Sequence, residues 1–535
     1  MSEHPPVRVR MAPAPSGTLH VGSLRTALFN WLYARKQGGV FVLRIEDTDA
    51  ERATDESMHS MLEAFRWVGL DWDEGPEVGG DHGPYRQSER SALYREVAAR
   101  LEEAGHTYRD YRTREEFDAY REQQKQAKLP PAVKASASRL SEDGAARLEE
   151  EGRPYTLRLA LPEDGELVVD DLVRGEVRWE WSNLSDPVLV RSDGSATYPL
   201  ANTTDDVAHG VSLICRGEDL LSATPVQVYL HGLLTGARDG GASIVDAALA
   251  SVGFPARDPS WGPPGKFAHL SMIVGADRKK LSKRHGSIAL QEFARQGFLP
   301  ETVLNYVALL GWAPGDGRER MDLDEIAAAF SFDGVGKSAA MFDVDKMSAF
   351  NGERIRALDP RELADRLVPF LDGTHRPMDE AGEPDPAFEP LVAAPPTTYE
   401  RAMIEGLVPL VQERMQRLDE IQAYARAFFR DQVELDGASV AKVLHKPGAD
   451  RVLRRAAEVL ADVAWDHESI EAALRPLADE LGIGFGKVAQ PIRVAVTGSS
   501  VSPPLFESLA LLDRKVVTAR IEAAMPVAEG GQHEA

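Results

Sequence analysis

A strand, a loop, a helix and a second strand follow one another within the first 50 residues of this chain. Residues 7–11 alternate apolar and basic side chains, which is the period of a strand with one buried face. The next loop is rich in Pro, Gly and Ser. Apolar residues at helical spacing then continue to Gly38 and Gly39, where the helix ends. Residues 40–47 are predicted to form the second strand. This βαβ order predicts a parallel α/β sheet.

The junction between the first strand and the helix is a candidate ligand site. Parallel α/β sheets bind ligands beyond the carboxyl ends of their strands, and His20 and Gly22 lie at that end. The unpaired N–H groups and the positive dipole of the helix would face an anion there, which favours a nucleotide. The alternatives are a plain tight turn and a histidine that only caps the helix.

A second signal is the basic run DRKKLSKRHG at residues 277–286. An isolated run of this kind is usually a solvated loop. Here it contrasts with a formal net charge of −24, from 61 basic and 85 acidic residues. It also follows a predicted strand at residues 267–274, so we expect it at the same edge of the sheet. The overall negative charge argues against a non-specific nucleic-acid binder.

Length and composition describe a large protein with several domains. A chain of 535 residues exceeds one ordinary core and predicts roughly three to five domains. Its 43% hydrophobic and 27% charged residues are typical of a soluble globular protein. No stretch approaches the ~18 apolar residues of a membrane span.

The single cysteine, Cys215, excludes an internal disulfide and a Cys-rich zinc site. With no signal-peptide core near residue 1, we expect a cytoplasmic protein with no membrane partner.

The two motifs together resemble the paired signatures of class I aminoacyl-tRNA synthetases. The first reads HVGS at residues 20–23 and the second reads KLSKR at residues 280–284. The surrounding segments narrow the resemblance to bacterial glutamyl-tRNA synthetases, and it runs from about residue 7 to about residue 525. These segments include RVRMAPAPSGTLHVGSLRTALFNWLYAR, LRIEDTD, TYPLANTTDD, ICRGEDLLSATP, LPETVLNYVALLGW and GKVAQPIRVAVTG.

The resemblance implies an ATP-dependent glutamate–tRNA ligase. L-glutamate and ATP would give glutamyl-adenylate and pyrophosphate. The glutamyl group would then pass to the 3′-terminal adenosine of tRNA(Glu), releasing AMP, and productive activation would require bound tRNA. The implied catalytic residues are His20, Lys280 and Lys283. The implied ATP-binding residues, with Mg²⁺ at the phosphates, are Gly17, His20, Gly22, Glu218, Lys280, Ser282 and Lys283.

The glutamate pocket that the resemblance implies contains two arginines and one acid. Arg10 and Arg216 would engage the substrate, since a guanidinium binds a carboxylate through two hydrogen bonds and stays charged. Glu46 would receive the ammonium group, and Tyr198 and Asn202, four residues apart, would share one helical face. The full set is Arg10, Ala12, Ala14, Glu46, Tyr198, Asn202 and Arg216. Without the resemblance, Arg10 would be a surface strand residue and Tyr198 a half-buried core aromatic.

The implied fold is a split Rossmann-like parallel-sheet catalytic domain with an inserted α/β domain for the tRNA acceptor end, followed by all-helical anticodon-binding domains. The catalytic halves are predicted at residues 1–85 and 198–276, and the insertion at 86–197. A stem-contact domain with the KLSKR loop is predicted at 277–360, and the two helical domains at 361–430 and 431–528.

Three features depart from the family pattern. Asp110 and Arg112 stand where many relatives have zinc-binding cysteines. Because arginine cannot ligate zinc, we expect no zinc site, and ordinary packing should hold the insertion. Ala14 replaces a pocket serine, which removes a hydrogen bond worth roughly 0.5–1.5 kcal/mol. Residues 235–265 are longer and richer in Gly, Pro and Ala than expected, which favours a surface excursion.

Two other functions stay open at this point. A glutamyl transferase that acts on a modified tRNA base lacks anticodon domains, so the long chain beyond residue 284 counts against it. A catalytically silent paralogue that only binds RNA is opposed by the presence of His20, Lys283, Arg10, Glu46 and Arg216. The sequence leaves open whether tRNA(Gln) is also charged, and we expect a monomer.

Overall fold

The structure is a computed structural model that describes residues 5–15, 19–48, 54–126, 133–238, 240–281, 289–376, 385 and 388–530. The chain divides into two compact units. The N-terminal unit comprises Met1–Gln291 and Val303–Asp343, and the C-terminal unit comprises Glu292–Thr302 and Val344–Ala535. Among the helices of the described ranges, none is both long and apolar enough to cross a membrane.

The strands are β1 (Arg8–Met11), β2 (Val40–Leu43), β3 (Thr107–Asp110), β4 (Thr156–Leu159), β5 (Glu166–Asp171), β6 (Gly175–Glu180), β7 (Val188–Val190), β8 (Leu213–Gly217), β9 (Lys266–Leu270), β10 (Ile273–Val274) and β11 (Ala340–Met341). The helices are α1 (Val21–Gln37), α2 (Asp55–Trp67), α3 (Ser91–Glu103), α4 (Arg114–Gln126), α5 (Ala135–Ser138), α6 (Glu142–Glu150), α7 (Tyr198–Ala208), α8 (Thr224–Leu234), α9 (Ile244–Val252), α10 (Leu290–Arg295), α11 (Pro300–Ala308), α12 (Leu323–Ala329), α13 (Val344–Ala357), α14 (Pro360–Leu371), α15 (Thr398–Val411), α16 (Ile421–Ala425), α17 (Gly437–Ser439), α18 (Ala449–Leu460), α19 (His467–Leu474), α20 (Leu477–Leu481), α21 (Gly486–Thr497), α22 (Leu505–Leu511) and α23 (Arg514–Gly530).

The βαβ unit predicted at the start of the chain is present. β1 and β2 pair in parallel with Arg8 beside Val40, and α1 connects them. α1 ends at Gly38, whose φ of 61° is left-handed and carries no Cβ penalty in glycine. β8 lies on the other side of β1, where the backbone N–H of Ser212 donates to the carbonyl of Arg8 at 2.9 Å. The carboxyl ends of β1 and β8 therefore meet at one edge.

The sheets are mixed rather than wholly parallel, which corrects the predicted fold. β8, β9 and β5 run parallel in a four-stranded sheet of order β6-β5-β9-β8, but β6 pairs with β5 antiparallel. Only residues 172–174 connect β5 to β6, and so short a connection allows only a hairpin. β5 lies in the range predicted for the insertion, yet it pairs with β9. β3, β4 and β7 form a separate antiparallel sheet.

The segment 235–265 is not the surface excursion that its composition favoured. Within it, α9 buries apolar side chains, including Val245 and Leu249, in a core shared with α3, α7 and α8. Farther along the segment, the guanidinium of Arg8 lies 4.7 Å from the centre of the Trp261 ring. The segment therefore belongs to the packed body of the N-terminal unit.

The described part of the C-terminal unit is built from helices, as the family resemblance implied. α15 buries apolar residues at helical spacing, including Ile404, Leu407, Val408 and Val411. They join a core shared with α14, α18, α21 and α23. On the opposite side of α18, Arg454 pairs with Glu529 at 3.0 Å and Arg455 with Glu480 at 2.7 Å. These two arginines thus already have acidic partners within the chain.

Candidate active site

A cavity of about 620 Å³ opens at the carboxyl ends of β1, β8 and β9 in the N-terminal unit. This is the edge at which parallel strands place ligand-binding residues. Nine residues expected from the family resemblance line it, namely Arg10, Ala12, His20, Gly22, Glu46, Tyr198, Asn202, Arg216 and Lys280. They come from widely separated segments, and the fold brings them together.

Other residues expected at the site lie elsewhere. Ala14 is exposed and does not line the cavity. Glu218 does not line it either, because its Oε1 accepts the backbone N–H of Met272 at 2.8 Å and its other oxygen pairs with Arg174. The next residue, Asp219, lines the cavity in its place. The remaining predicted residues, Gly17, Ser282 and Lys283, lie outside the described residues, and their roles stay predictions.

Arg10 extends from β1 with two of its nitrogens bonded to one carboxylate. Its Nε lies 3.1 Å from Oδ1 of Asp206 and its Nη2 lies 3.3 Å from Oδ2. Nη1 of Arg44 lies 2.7 Å from the same carboxylate, and all three residues are buried. Burial alone would raise the pKa of Asp206, but the two guanidinium charges hold that pKa well below its usual range. The position of Arg10 is thereby fixed at the cavity wall.

Asp206 is a residue that the sequence analysis missed, although a signal for it existed. It follows Asn202 by four residues on α7, and Asn202 follows Tyr198 by four, so the three share one helical face. The adjacent Asp205 is also fully buried and accepts a hydrogen bond from Nε of Arg90 at 2.6 Å. A pair of acids on a helix that carries pocket residues therefore indicated a buried charge network.

Glu46 is held at the cavity by an oriented amide. Its carboxylate accepts a hydrogen bond from Nδ2 of Asn202. Nε2 of Gln227 donates to the other end of that amide, Oδ1 of Asn202, at 3.1 Å, which fixes the orientation. Burial raises the pKa of Glu46, against the opposing effects of Arg44 and Asn202. A cationic group bound beside Glu46 would favour its ionised form.

Arg216 presents a cationic donor to the cavity. Its Nε donates to Nε2 of His269 at 3.1 Å, and its Nη2 donates to Oγ1 of Thr224 at 2.9 Å. Its buried Nη1 has no hydrogen-bond partner within the part of the chain that the structure describes. Burial lowers the pKa of Arg216, but a guanidinium remains charged near neutral pH. This arrangement suits an anionic ligand group.

The part of the cavity lined by the start of α1 suits a phosphate. α1 begins at Val21 after the extended N-cap residue His20, and its first turn contains no acidic side chain. The first N–H groups and the positive end of the helix dipole therefore lie at the cavity. A Cβ on Gly22 would meet no atom within 4 Å, so the space beside it is open. Lys280 adds an ammonium group 3.8 Å from Oδ2 of Asp219.

Asp110 and Arg112, at the two positions where the family resemblance places zinc-binding cysteines, form an ion pair with each other. Nε and Nη2 of Arg112 each lie 2.7 Å from an oxygen of Asp110, and Nε of Arg158 lies 2.6 Å from the same carboxylate. The Arg112 guanidinium also lies 4.9 Å from the centre of the Tyr120 ring. Charged contacts thus join β3, β4 and α4, beyond the ordinary packing that was expected. Within the described ranges no group of three metal-ligating side chains occurs, and the absence of zinc stays a prediction.

Comparison with known families identifies the class of protein. Residues 6–238 and 261–349 match the model for tRNA synthetases class I (E and Q), catalytic domain. Residues 362–525 match the model for an anticodon binding domain. The fold and the cavity thus belong to a class I tRNA synthetase. The gap in the first match, residues 239–260, contains α9.

Individual relatives narrow this class to one family. A glutamate–tRNA ligase of Saccharopolyspora erythraea is 41% identical, with 98% of each chain covered. Another, of Desulforudis audaxviator, is 37% identical over 97% of this chain and 96% of the relative. The crystal structure of a glutamate tRNA ligase from Elizabethkingia meningosepticum in complex with its amino acid is 28% identical. Its TM-score is 0.78, over 98% of this chain and 99% of that chain. The chain belongs to the glutamate–tRNA ligases, which confirms the resemblance of its motifs.

Proposed function

We propose that the cavity is the active site at which this ligase converts L-glutamate and ATP to glutamyl-adenylate and pyrophosphate and then transfers the glutamyl group to its tRNA. The observation that carries the proposal is that Arg216 lines the same cavity as the start of α1 and that its buried Nη1 has no hydrogen-bond partner in the described residues. One side of the cavity therefore suits a carboxylate and the other a phosphate. Glutamate activation needs these two groups to meet.

The substrate glutamate lies between Arg216 and Glu46 in this proposal. Carboxylate oxygens of the substrate accept hydrogen bonds from Nη1 of Arg216. They also contact the side of Arg10 that Asp206 leaves open. Glu46 receives the ammonium group, whose charge compensates a carboxylate that burial otherwise disfavours. The wall of the pocket is completed by Ala12, Tyr198 and Asn202.

Activation forms a bond from the α-carboxylate oxygen of glutamate to the α-phosphorus of ATP as the bond to pyrophosphate breaks. Negative charge grows on the nonbridging oxygens and on the departing pyrophosphate. Placing donors and positive charge there is the main catalytic task. His20 and the first N–H groups of α1 donate to the α-phosphate, and Lys280 and Lys283 bind the leaving group. A hydroxyl of the terminal adenosine of the tRNA then attacks the glutamyl carbonyl, and AMP leaves.

Mg²⁺ would enter with the ATP. The ion prefers oxygen ligands, keeps several waters and is usually bound by one or two carboxylates together with substrate phosphates. Asp219 would supply one such carboxylate, because it lines the cavity. When bound, the ion would offset the phosphate charge.

The tRNA would contact several parts of the chain. Residues 86–197 and 277–360 are proposed to bind its acceptor end and stem. The region that matches an anticodon binding domain, 362–525, is proposed to bind its anticodon. We further propose a monomer that works in the cytoplasm. tRNA(Gln) is a candidate second substrate, because the matching catalytic family includes both the E and Q enzymes.

Aminoacylation with labelled glutamate tests this function. Purified tRNA(Glu) and tRNA(Gln) are offered separately, with and without ATP. We expect ATP-dependent charging of tRNA(Glu), and the ratio between the two tRNAs determines whether tRNA(Gln) is a substrate. If folded wild-type protein binds tRNA(Glu) but charges neither tRNA, the proposal is overturned.

Variants of the basic run at residues 277–286 test whether Lys283 acts in glutamate activation. Lys283→Ala should abolish activation while tRNA binding is largely retained, because Lys283 is assigned to the leaving pyrophosphate. The matched control is Lys279→Ala, which removes an exposed ammonium group from the same run and should charge like the wild type. Equal loss of activation and of tRNA binding in Lys283→Ala would contradict its assigned role.

A further inference from the structure

Three buried polar residues lie in a row across β5, β9 and β8, behind the glutamate side of the cavity. Arg216 on β8 and His269 on β9 are paired residues of neighbouring parallel strands, so their side chains lie on the same face of the sheet. Asp171 ends β5, on the other side of β9. All three are at most 3% exposed. Asp171 and His269 do not line the cavity and have no role in the mechanism above.

The carboxylate of Asp171 is fixed by four donors. Its Oδ1 accepts backbone N–H groups from Val173 at 2.9 Å, Arg174 at 2.8 Å and His269 at 3.2 Å. Its Oδ2 lies 2.6 Å from Nδ1 of His269. Three backbone donors thus require an oxygen at the Oδ1 position, and the Oδ2 position is left for the histidine ring.

The tautomer of His269 follows from its other neighbour. A guanidinium has only donors, so Nε of Arg216, 3.1 Å from Nε2 of His269, can only donate to it. Nε2 must therefore carry the lone pair, and the ring proton lies on Nδ1, where it donates to Asp171. Oγ1 of Thr224 lies 3.0 Å from the same Nε2 and accepts from Nη2 of Arg216 at 2.9 Å. Two of the three guanidinium nitrogens are fixed in this way.

We infer that Asp171 and His269 are positioning residues that orient Arg216 for glutamate. Asp171 holds the ring of His269 in the tautomer that accepts from Nε of Arg216. That bond, with the bond to Thr224, leaves Nη1 as the nitrogen of this cavity-lining residue that is not committed to the protein. This inference rests on the proposed binding of glutamate by Arg216. It extends the binding site to residues that do not contact the substrate.

Asp171→Asn tests the inference with almost no change of shape. The three backbone N–H groups keep the amide oxygen at the Oδ1 position, so the amide N–H₂ must face Nδ1 of His269. The ring then carries its proton on Nε2, and two donors face each other at Arg216. We expect the KM for glutamate to rise about tenfold or more, because a hydrogen bond to a charged group is lost. The KM values for ATP and tRNA should stay within about twofold, since neither substrate is assigned to Arg216.

The matched control is Asp170→Asn, the same chemical change at the exposed neighbouring residue of β5, which should leave all three KM values unchanged.

A rescue variant distinguishes an effect on the His269 tautomer from an effect on packing. In the Asp171→Asn background, His269→Gln provides an amide that can turn its oxygen toward Nε of Arg216. We expect the double variant to have a lower KM for glutamate than Asp171→Asn alone, a non-additive result.

A second pair of variants covers the case in which Asp171→Asn does not fold. His269→Gln keeps an acceptor for Arg216 and should raise the KM for glutamate less than about threefold, while His269→Leu removes the acceptor and should raise it about tenfold.

The inference is overturned if Asp171→Asn leaves the KM for glutamate within twofold of the wild type. It is also overturned if the KM values for all three substrates rise alike, or if the Gln and Leu variants behave equally. Wild-type charging is measured first. Its absence would contradict the proposed function, and only a wild type that charges tRNA makes these comparisons a test of the positioning role.

Discussion

Oδ1 of Asp206 joins Arg10 and Arg44, because it lies 3.1 Å from Nε of Arg10 and 2.7 Å from Nη1 of Arg44. All three side chains are buried. Two guanidinium groups so close together in a low-dielectric interior would repel each other without a shared anion. Asp206 therefore offsets this repulsion and holds Arg10 in place at the cavity wall.

Asp206→Asn should destabilise the N-terminal unit and weaken glutamate binding. Removing one partner of a buried ion pair costs about 3–5 kcal/mol. Here Arg10 loses its buried carboxylate partner, while Arg44 keeps Glu46 and Asp205 within 4 Å. Since the pKa of Asp206 is held below its usual range, the contribution of the ion pair is complete above the unfolded pKa of about 4. It is lost only as the pH falls through the lower folded value. Calorimetry from pH 5 to 8 should therefore show a constant difference in unfolding temperature from wild type.

The control for this prediction is Asp193→Asn, which neutralises an exposed carboxylate of the same unit. We expect its unfolding temperature and its KM for glutamate to match the wild type. An Asp206→Asn protein as stable as the wild type at pH 7 would mean that the buried arginines do not need this anion.

The βαβ order could be predicted because each part of it is local. Alternation marks the strand, Gly38 and Gly39 end the helix, and no distant residue is needed to recognise either. The sheet beyond that unit was less accessible, since the predicted parallel arrangement took no account of the short connection that makes β6 antiparallel. The glycine, proline and alanine content of residues 235–265 did not predict the buried helix α9. The burial of α9 depends on contacts with α3, α7 and α8, which composition does not show.

The residues of the candidate site also differ in whether the sequence could predict them. Arg10, Glu46, Tyr198, Asn202 and Arg216 were found through family motifs, and all five line the cavity. The residues that hold them were not found, because their partners are distant in sequence. Of these supporting residues, only Asp206 had a local signal, its spacing from Asn202 on α7.

His20→Ala should lower kcat more than it changes the KM for glutamate. His20 is assigned to the α-phosphate, where charge grows in the transition state, so we expect a loss of about 10²–10³-fold in kcat. His20→Asn keeps an N–H donor and should retain part of the activity. His59→Ala, at a largely exposed histidine on α2, is the control and should react like the wild type. A large rise in the KM for glutamate at unchanged kcat would place His20 at the amino acid instead.

Chelation should not destabilise the sheet formed by β3, β4 and β7. Asp110 is already bonded to Arg112 and Arg158, so we expect the unfolding temperature after EDTA dialysis to equal that of untreated protein. Arg112→Ala, in contrast, leaves a buried carboxylate without its two-point partner and should cost about 1–3 kcal/mol. Arg121→Ala, at an exposed arginine on α4, should cost nothing measurable. A fall in the unfolding temperature on chelation, reversed by zinc, would show that a metal contributes after all.

Asp419 in the C-terminal unit should make stability depend on pH in the opposite sense to Asp206. Burial raises its pKa to about 6, so the folded state favours the protonated acid. Its stabilising contribution is complete below the unfolded pKa of about 4 and is lost as the pH rises through about 6. Asp419→Asn mimics the protonated form. Allowing about 1 kcal/mol for a partly exposed group, it should raise the unfolding temperature by about 2–4 °C at pH 7.5 and leave it unchanged at pH 4. Calorimetry at both pH values checks this, with the exposed Asp431→Asn as control, and an equal effect at both would contradict the assignment.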